Sequence, residues 1–198
     1  MLLVTVPHGK REASENHDEG AIRMIPHLVK ELDNYGVPHT IHVGDDNYRG
    51  IIDLNRAESR HTEYAKEFVR LLQENDLHID LHSYPYVGDE EAEQDSITSL
   101  GDDLREWSRS DVVFLTIPKI TEPMFAEAML TATEEYVVVD DIEGGVSNYL
   151  TVFANIIMDV PSVLLELNEG SSEAYPLVAK AVAEGVAVHL GLIEPADA

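Results

Sequence analysis

At 198 residues and 44% hydrophobic composition, the chain is long enough for one domain, 1–198, with a two- or three-layer core. It has no cysteine, which excludes disulfides, thiolate metal sites and thiol nucleophiles and leaves His, Asp and Glu as the strong metal ligands. Its 38 acidic against 13 basic residues give a net charge of −25, which argues against nucleic acid and anionic lipid as partners.

High charge can signal disorder, but periodic apolar segments run throughout this sequence. The acidity therefore fits a hydrated surface suited to a cytoplasm with molar salt, a halophilic setting in which the Debye length shrinks to roughly 3 Å or less. No window approaches about 18 consecutive apolar residues, so no transmembrane helix is expected. The start, MLLVTVPHGKRE, lacks a basic leader region and a small-residue cleavage site, and it reads as a first strand.

Leu2–Pro7 is a continuous apolar run of the kind found in a buried strand. Ile22, Ile25, Leu28, Val29 and Leu32 recur at helical spacing, and Gly36 marks that helix's end. Val37–Val43 is the second strand. Tyr64, Phe68, Leu71 and Leu72 line one face of the next helix, and Leu77–Leu81 is the third strand. The stretch 83–111 is polar and reads as a surface loop. Strands over Val112–Ile117, Tyr136–Asp140 and Ser162–Leu167 then alternate with helices over 122–132, 148–158 and 173–189. This alternation predicts an α/β fold, a three-layer αβα arrangement on a mostly parallel, mixed sheet. Ligands of such sheets bind at the C-terminal ends of the strands. His8 follows the first strand, His82 follows the third, and Glu166 lies near the end of the last.

Four segments carry chemistry: Pro7-His8-Gly9-Lys10-Arg11-Glu12, Asp53-Leu54-Asn55-Arg56, Asp80-Leu81-His82-Ser83 and Leu165-Glu166-Leu167-Asn168. Singly, each is more often structural than functional. Their joint occurrence in this order is far more specific. A His and a Glu a few residues apart can share one zinc ion at about 2.0–2.2 Å.

In these segments the chain resembles the zinc carboxypeptidase-like superfamily, which includes the metallocarboxypeptidases, the succinylglutamate desuccinylase/aspartoacylase family and the N-formylglutamate amidohydrolases. The resemblance extends from residue 2 to about residue 170, and L-E-L-N is typical of the formylglutamate branch. It implies a hydrolase-like fold with His8, Glu12 and His82 holding one Zn²⁺, although His/Glu sites accept other divalent metals. It also implies Glu166 as general base and then acid, Asp53 orienting His8, and Asn55 and Arg56 gripping a substrate carboxylate. Three protein ligands leave an open position for water, the catalytic pattern. The usual first pair is H-x-x-E, whereas the nearest glutamate here is one residue later. Glu15, Asp18, Glu19 and His17 therefore compete for the second ligand position.

Arg49, six residues before Asn55, is placed by the resemblance to polarise the scissile carbonyl. Tyr149 is placed to donate a hydrogen bond, though a core tyrosine is the simpler reading. Asp140-Asp141-Ile142-Glu143 has the residue types of a Mg²⁺ site, but a solvated acidic loop is the favoured reading in so acidic a chain. No P-loop, G-x-G-x-x-G or G-x-S-x-G is present. The expected function is zinc-dependent hydrolysis of the amide bond of an N-acyl amino acid, with a small carboxylate-bearing substrate. A small carboxypeptidase or γ-glutamyl peptide hydrolase is the close variant. A non-catalytic metal-binding member is the alternative of another class.

Overall fold

The structure is a computed structural model that describes residues 1–9, 18–44, 53–84, 113–118, 120–140 and 149–195. A six-stranded sheet has the order β2-β1-β3-β6-β4-β5, formed by β1 (Leu2–Val6), β2 (His39–Val43), β3 (Leu77–Tyr84), β4 (Val113–Thr116), β5 (Val137–Asp140) and β6 (Ser162–Asn168). Pairing is parallel except between β4 and β6, which run antiparallel. The expected three-layer, mostly parallel α/β architecture is the one formed. The helices are α1 (Glu19–Asn34), α2 (Glu63–Leu72), α3 (Pro123–Thr133), α4 (Tyr149–Ile157) and α5 (Tyr175–His189).

Period-2 alternation gives the sheet two unlike faces. One face presents Leu2, Val4, Val6, Leu77, Ile79, Leu81, Leu165 and Leu167 to α1, α3 and α5, which supply Met24, Leu28, Phe125, Val178 and Val182 among others. This is the main core. The residues between them point the other way: Thr5 on β1, then His78, Asp80 and His82 on β3, and Ser162 and Glu166 on β6. The smaller apolar cluster on that side joins Leu3 to Phe68, Leu71 and Leu72 of α2 and to Leu150 and Ala154 of α4.

Local signals explain the helix ends. The Thr62 side chain accepts the Ala65 N–H at the start of α2. The Glu122 carboxylate accepts the Met124 and Phe125 N–H groups, with Pro123 in the first turn of α3. Gly36, at φ 69°, follows α1 in the left-handed conformation that glycine adopts without strain.

The third strand runs three residues past its expected end. His82, Ser83 and Tyr84 pair with Glu166, Leu167 and Asn168, so ladder pairing outweighs a polar composition that looks like a loop. His82 thus sits within β3, not after it. No described helix is long and apolar enough to cross a membrane. Most of the polar stretch 83–111 lies outside the described residues, as do Asp141 and Glu143 of the acidic cluster.

Candidate metal centre

At the C-terminal ends of β1 and β3, three side chains from separate elements meet. His8 follows β1 by two residues. His82 stands on β3, and Asp18 directly precedes α1. All three are buried, at 2%, 5% and 1% exposure. The Asp18 N–H donates to the His8 carbonyl at 2.9 Å, which draws the start of α1 back to the strand end. Asp18 Oδ2 then lies 3.3 Å from His8 Nδ1 and 3.0 Å from His82 Nδ1. Ligand atoms around a tetrahedral zinc, at bonds of about 2.0–2.1 Å, stand roughly 3.3 Å apart. Among the described residues this is the one group of three or more His, Cys, Asp or Glu side chains arranged to hold a metal ion.

The opposite ring nitrogens strengthen the fit. His8 Nε2 lies 2.8 Å from Asp53 Oδ1, and His82 Nε2 lies 3.1 Å from Asp80 Oδ2. Without an ion, each ring donates Nδ1–H to Asp18; with one bound, each imidazole would donate Nε2–H to its carboxylate and present the Nδ1 lone pair to the metal. This is the carboxylate–histidine–metal arrangement that sets tautomer and ring orientation. The donor set of two imidazoles and one carboxylate suits zinc.

The start of α1 is held against β3 from below. Glu169, in the 3-10 turn Glu169–Ala174, accepts the Ser83 hydroxyl at 2.8 Å and the Gly20 N–H at 3.3 Å. A carboxylate there also meets the positive end of the helix dipole. Only glycine fits at position 20, since a Cβ would stand 2.6 Å from the Tyr175 hydroxyl and 2.8 Å from Ser83 Cβ.

The structure sorts the expected site residues unevenly. His8 and His82 are brought together. Glu12, Glu15 and His17 lie outside the described residues, and Asp18 is the carboxylate found between the histidines. Glu19, the next residue, ion-pairs with Arg23 on α1. Asp53 reaches His8 and also accepts the Asn55 N–H at 2.9 Å, while Arg56 Nε approaches its other oxygen at 3.4 Å. Arg56 is partly exposed beside the site. Asn55 is buried: its Oδ1 accepts the Leu150 N–H at 3.1 Å, and its Nδ2 lies 3.0 Å from His82 Nε2. Glu166 is half-buried and is the register partner of His82 on the adjoining strand. Arg49 lies outside the described residues, and Tyr149 is the first residue of α4. Asp80, Ser83 and Glu169 have contacts that the sequence reading did not assign. For Asp80 the signal was present, because residues i and i+2 of a strand share a face.

The electrostatics follow the contacts. Burial opposes charge on His8 and His82, but neighbouring carboxylates outweigh it and raise both pKa values: Asp18 and Asp53 at His8, Asp80 and Asp18 at His82. Burial likewise works against an ionised Asp18, yet hydrogen bonds from both histidines hold it well below the usual carboxylate range. Asp53, opposed by burial and favoured by His8, is held down at about 2.

His78, fully buried on the same sheet face, goes the other way: burial lowers it to about 4. Its folded pKa lies below its unfolded value of about 6.5, so its contribution is present above that pH and is lost as pH falls toward 4. The raised histidines contribute fully below pH 6.5, and the lowered aspartates contribute fully above about pH 3.8, so neither changes in this window. Half-buried His42 is also lowered by burial and adds in the same direction. Metal-free protein should therefore lose about 3 kcal/mol between pH 6.5 and 4 through His78. Urea unfolding across that range should show a clearly shallower slope for His78→Gln, and equal slopes would refute the assignment.

No protein-family model and no curated protein matches the sequence. Solved structures do match. The catalytic domain of CwlV, an N-acetylmuramoyl-L-alanine amidase from Bacillus (Paenibacillus) polymyxa, superposes with a TM-score of 0.60 at 13% identity, covering 97% of this chain and 98% of that one. A metallo-carboxypeptidase from Burkholderia cenocepacia gives 0.60 at 13% identity, covering 96% of this chain but 56% of its own length. The chain shares its fold with both. An N-formylglutamate amidohydrolase from Ralstonia eutropha gives 0.53 at 14% identity, covering 96% and 94%. At these identities the likeness is one of fold, and function has to be argued from the site.

Proposed function

We propose that the chain is a zinc-dependent hydrolase that cleaves the amide bond of an N-acyl amino acid. The observation that carries this reading is the buried His8–Asp18–His82 group, with Glu166 as the register partner of His82 on the neighbouring strand. Bound zinc would lower the pKa of water to about 7 and polarise the scissile carbonyl. His8 Nδ1, His82 Nδ1 and an Asp18 oxygen would hold the ion, while Asp53 and Asp80 keep each imidazole in its Nε2–H form. The Glu166 carboxylate would take the proton of the attacking water and pass it to the departing amine nitrogen. Burial of the ligand group beneath α1 limits competing water around it.

Partly exposed Arg56 would pair with a substrate carboxylate, a planar two-bond match that fixes orientation. Arg49 and Tyr149, as carbonyl-polarising and hydrogen-bonding groups, belong to the same reading, with Asn55 setting the wall between His82 and α4. The N-acyl substrate is favoured over a peptide because three of the matched structures that are spanned almost end to end carry amidase or amidohydrolase names. The matched carboxypeptidase is nearly twice as long.

Zinc-loaded protein assayed on N-formyl-, N-succinyl- and other N-acyl-amino acids and on short peptides tests the reading. Turnover of an N-acyl amino acid is expected, with Arg56→Ala raising KM by roughly 10–100-fold and changing kcat much less, as loss of a charged hydrogen-bond pair predicts. Cleavage of peptides alone would turn the assignment to a carboxypeptidase. Zinc binding without turnover of any substrate would leave a metal-binding protein.

A further inference from the structure

The sheet face that carries the metal centre also carries a continuous row of buried polar side chains leading away from it. Ser162 Oγ lies 2.6 Å from His78 Nδ1, and His78 Nε2 lies 2.8 Å from Thr5 Oγ1. The Thr5 hydroxyl donates to Asp80 Oδ1 at 2.5 Å, and Asp80 Oδ2 faces His82 Nε2 at 3.1 Å. Ser162, His78, Thr5 and Asp80 are each fully buried. Four residue steps of strand separate His78 from His82, a span of about 13 Å. The far members are therefore remote from the centre itself.

One proton order satisfies the whole row. A carboxylate only accepts, so the single Thr5 proton goes to Asp80. Thr5 must then accept, and its donor is His78 Nε2–H. His78, kept neutral by burial, has its lone pair at Nδ1 and takes the Ser162 hydroxyl proton. At the other end, the remaining Asp80 oxygen accepts His82 Nε2–H. Asn55 Nδ2 lies 3.0 Å from the same nitrogen but is itself a donor, so the Asp80 carboxylate is the acceptor for His82 Nε2–H.

We propose that Thr5, His78 and Ser162 are positioning residues that hold the Asp80 carboxylate against His82 Nε2–H, and so keep His82 Nδ1 aimed at the metal. The proposal rests on the metal reading of the site. It explains why three strands spend four fully buried positions on polar groups, on a face where aliphatic side chains would pack as well. Buried networks in which every member is satisfied specify one arrangement, and losing a member frees the rest to reorient. Partners behind a metal-binding histidine typically alter metal affinity by 10–100-fold.

The test is zinc affinity, measured at pH 7 and constant salt by competition with a chromophoric chelator, on wild type, Thr5→Val, Thr5→Ser and Ser162→Ala, with thermal melts in parallel. Thr5→Val matches threonine in shape and removes only the hydroxyl. It should weaken zinc binding about 10–100-fold, Thr5→Ser should restore most of the affinity, and Ser162→Ala should fall between wild type and Thr5→Val. Ring-nitrogen NMR of wild type should show His78 as the Nε2–H tautomer. Wild-type zinc affinity in both Thr5→Val and Ser162→Ala, whether or not their melting temperatures drop, would reduce the row to a structural role and overturn the proposal. An Nδ1–H tautomer at His78 would overturn it too. A wild-type protein that binds no zinc would instead remove the metal reading beneath it.

Discussion

Glu166→Gln should leave zinc bound at wild-type stoichiometry and lower kcat by about 10²–10⁴-fold, the usual contribution of a positioned general base. The argument begins with register. Glu166 and His82 are partners on adjacent parallel strands, whose axes lie about 4.8 Å apart, and both side chains leave the same face of the sheet. Glu166 is half-buried where Asp18 and the histidines are fully enclosed, so it stands at the boundary between the metal group and solvent. A base has to occupy that boundary, reaching the water on one side and the leaving nitrogen on the other. Glutamine keeps the shape and hydrogen-bonding capacity but cannot accept a proton. Metal content by atomic absorption and turnover of the best N-acyl substrate decide the matter. If turnover persists within a few-fold of wild type, Glu166 is not the base; if zinc is lost, it belongs to the ligand set.

The elements were legible because a buried strand reads as a continuous apolar run, as at Leu2–Val6, and a helix face repeats with a period of 3.6, as Ile25, Leu28 and Leu32 do. Strand order was not. Nothing local to Val113–Thr116 announces that it runs antiparallel beside β6, because pairing partners are chosen by the packing of distant segments. The end of β3 was hidden for a related reason: His82 and Ser83 are polar because they serve the site, and polarity in a short window resembles a loop. In the centre itself, the two histidines were legible from four motifs in order. The carboxylate was legible only as one of several competitors, Asp18 among them, since linear spacing favours a residue three or four positions after His8. Asp18 stands ten positions after His8 and reaches it because its N–H bonds the His8 carbonyl just before α1 starts. The row from Thr5 to Ser162 was readable in principle from alternation along β3, but only the sheet order shows that β1 and β6 flank it.

Asp18→Ala should abolish stoichiometric zinc binding, a loss beyond the roughly 100-fold that removing an outer partner of a metal-binding histidine produces. Glu12→Ala should bind zinc within a few-fold of wild type. Asp18 Oδ2 lies 3.0 Å from His82 Nδ1 and 3.3 Å from His8 Nδ1, and the three ligand atoms fall within 4.8 Å of one another. Its position is also secured twice over, by its own N–H on the His8 carbonyl and by Glu169 and Ser83 on the next residues of α1. Removing the carboxylate leaves two buried imidazoles facing each other, their ring centroids 5.2 Å apart, with nothing anionic between them. That arrangement offers a divalent ion two neutral ligands where three suit it, and it lowers the pKa that Asp18 had raised at both histidines. The same chelator competition, run on both variants and on Asp18→Asn, separates the candidates. A normal affinity in Asp18→Ala, with loss in Glu12→Ala, would move the third ligand to Glu12 and make Asp18 a partner of the two histidines alone.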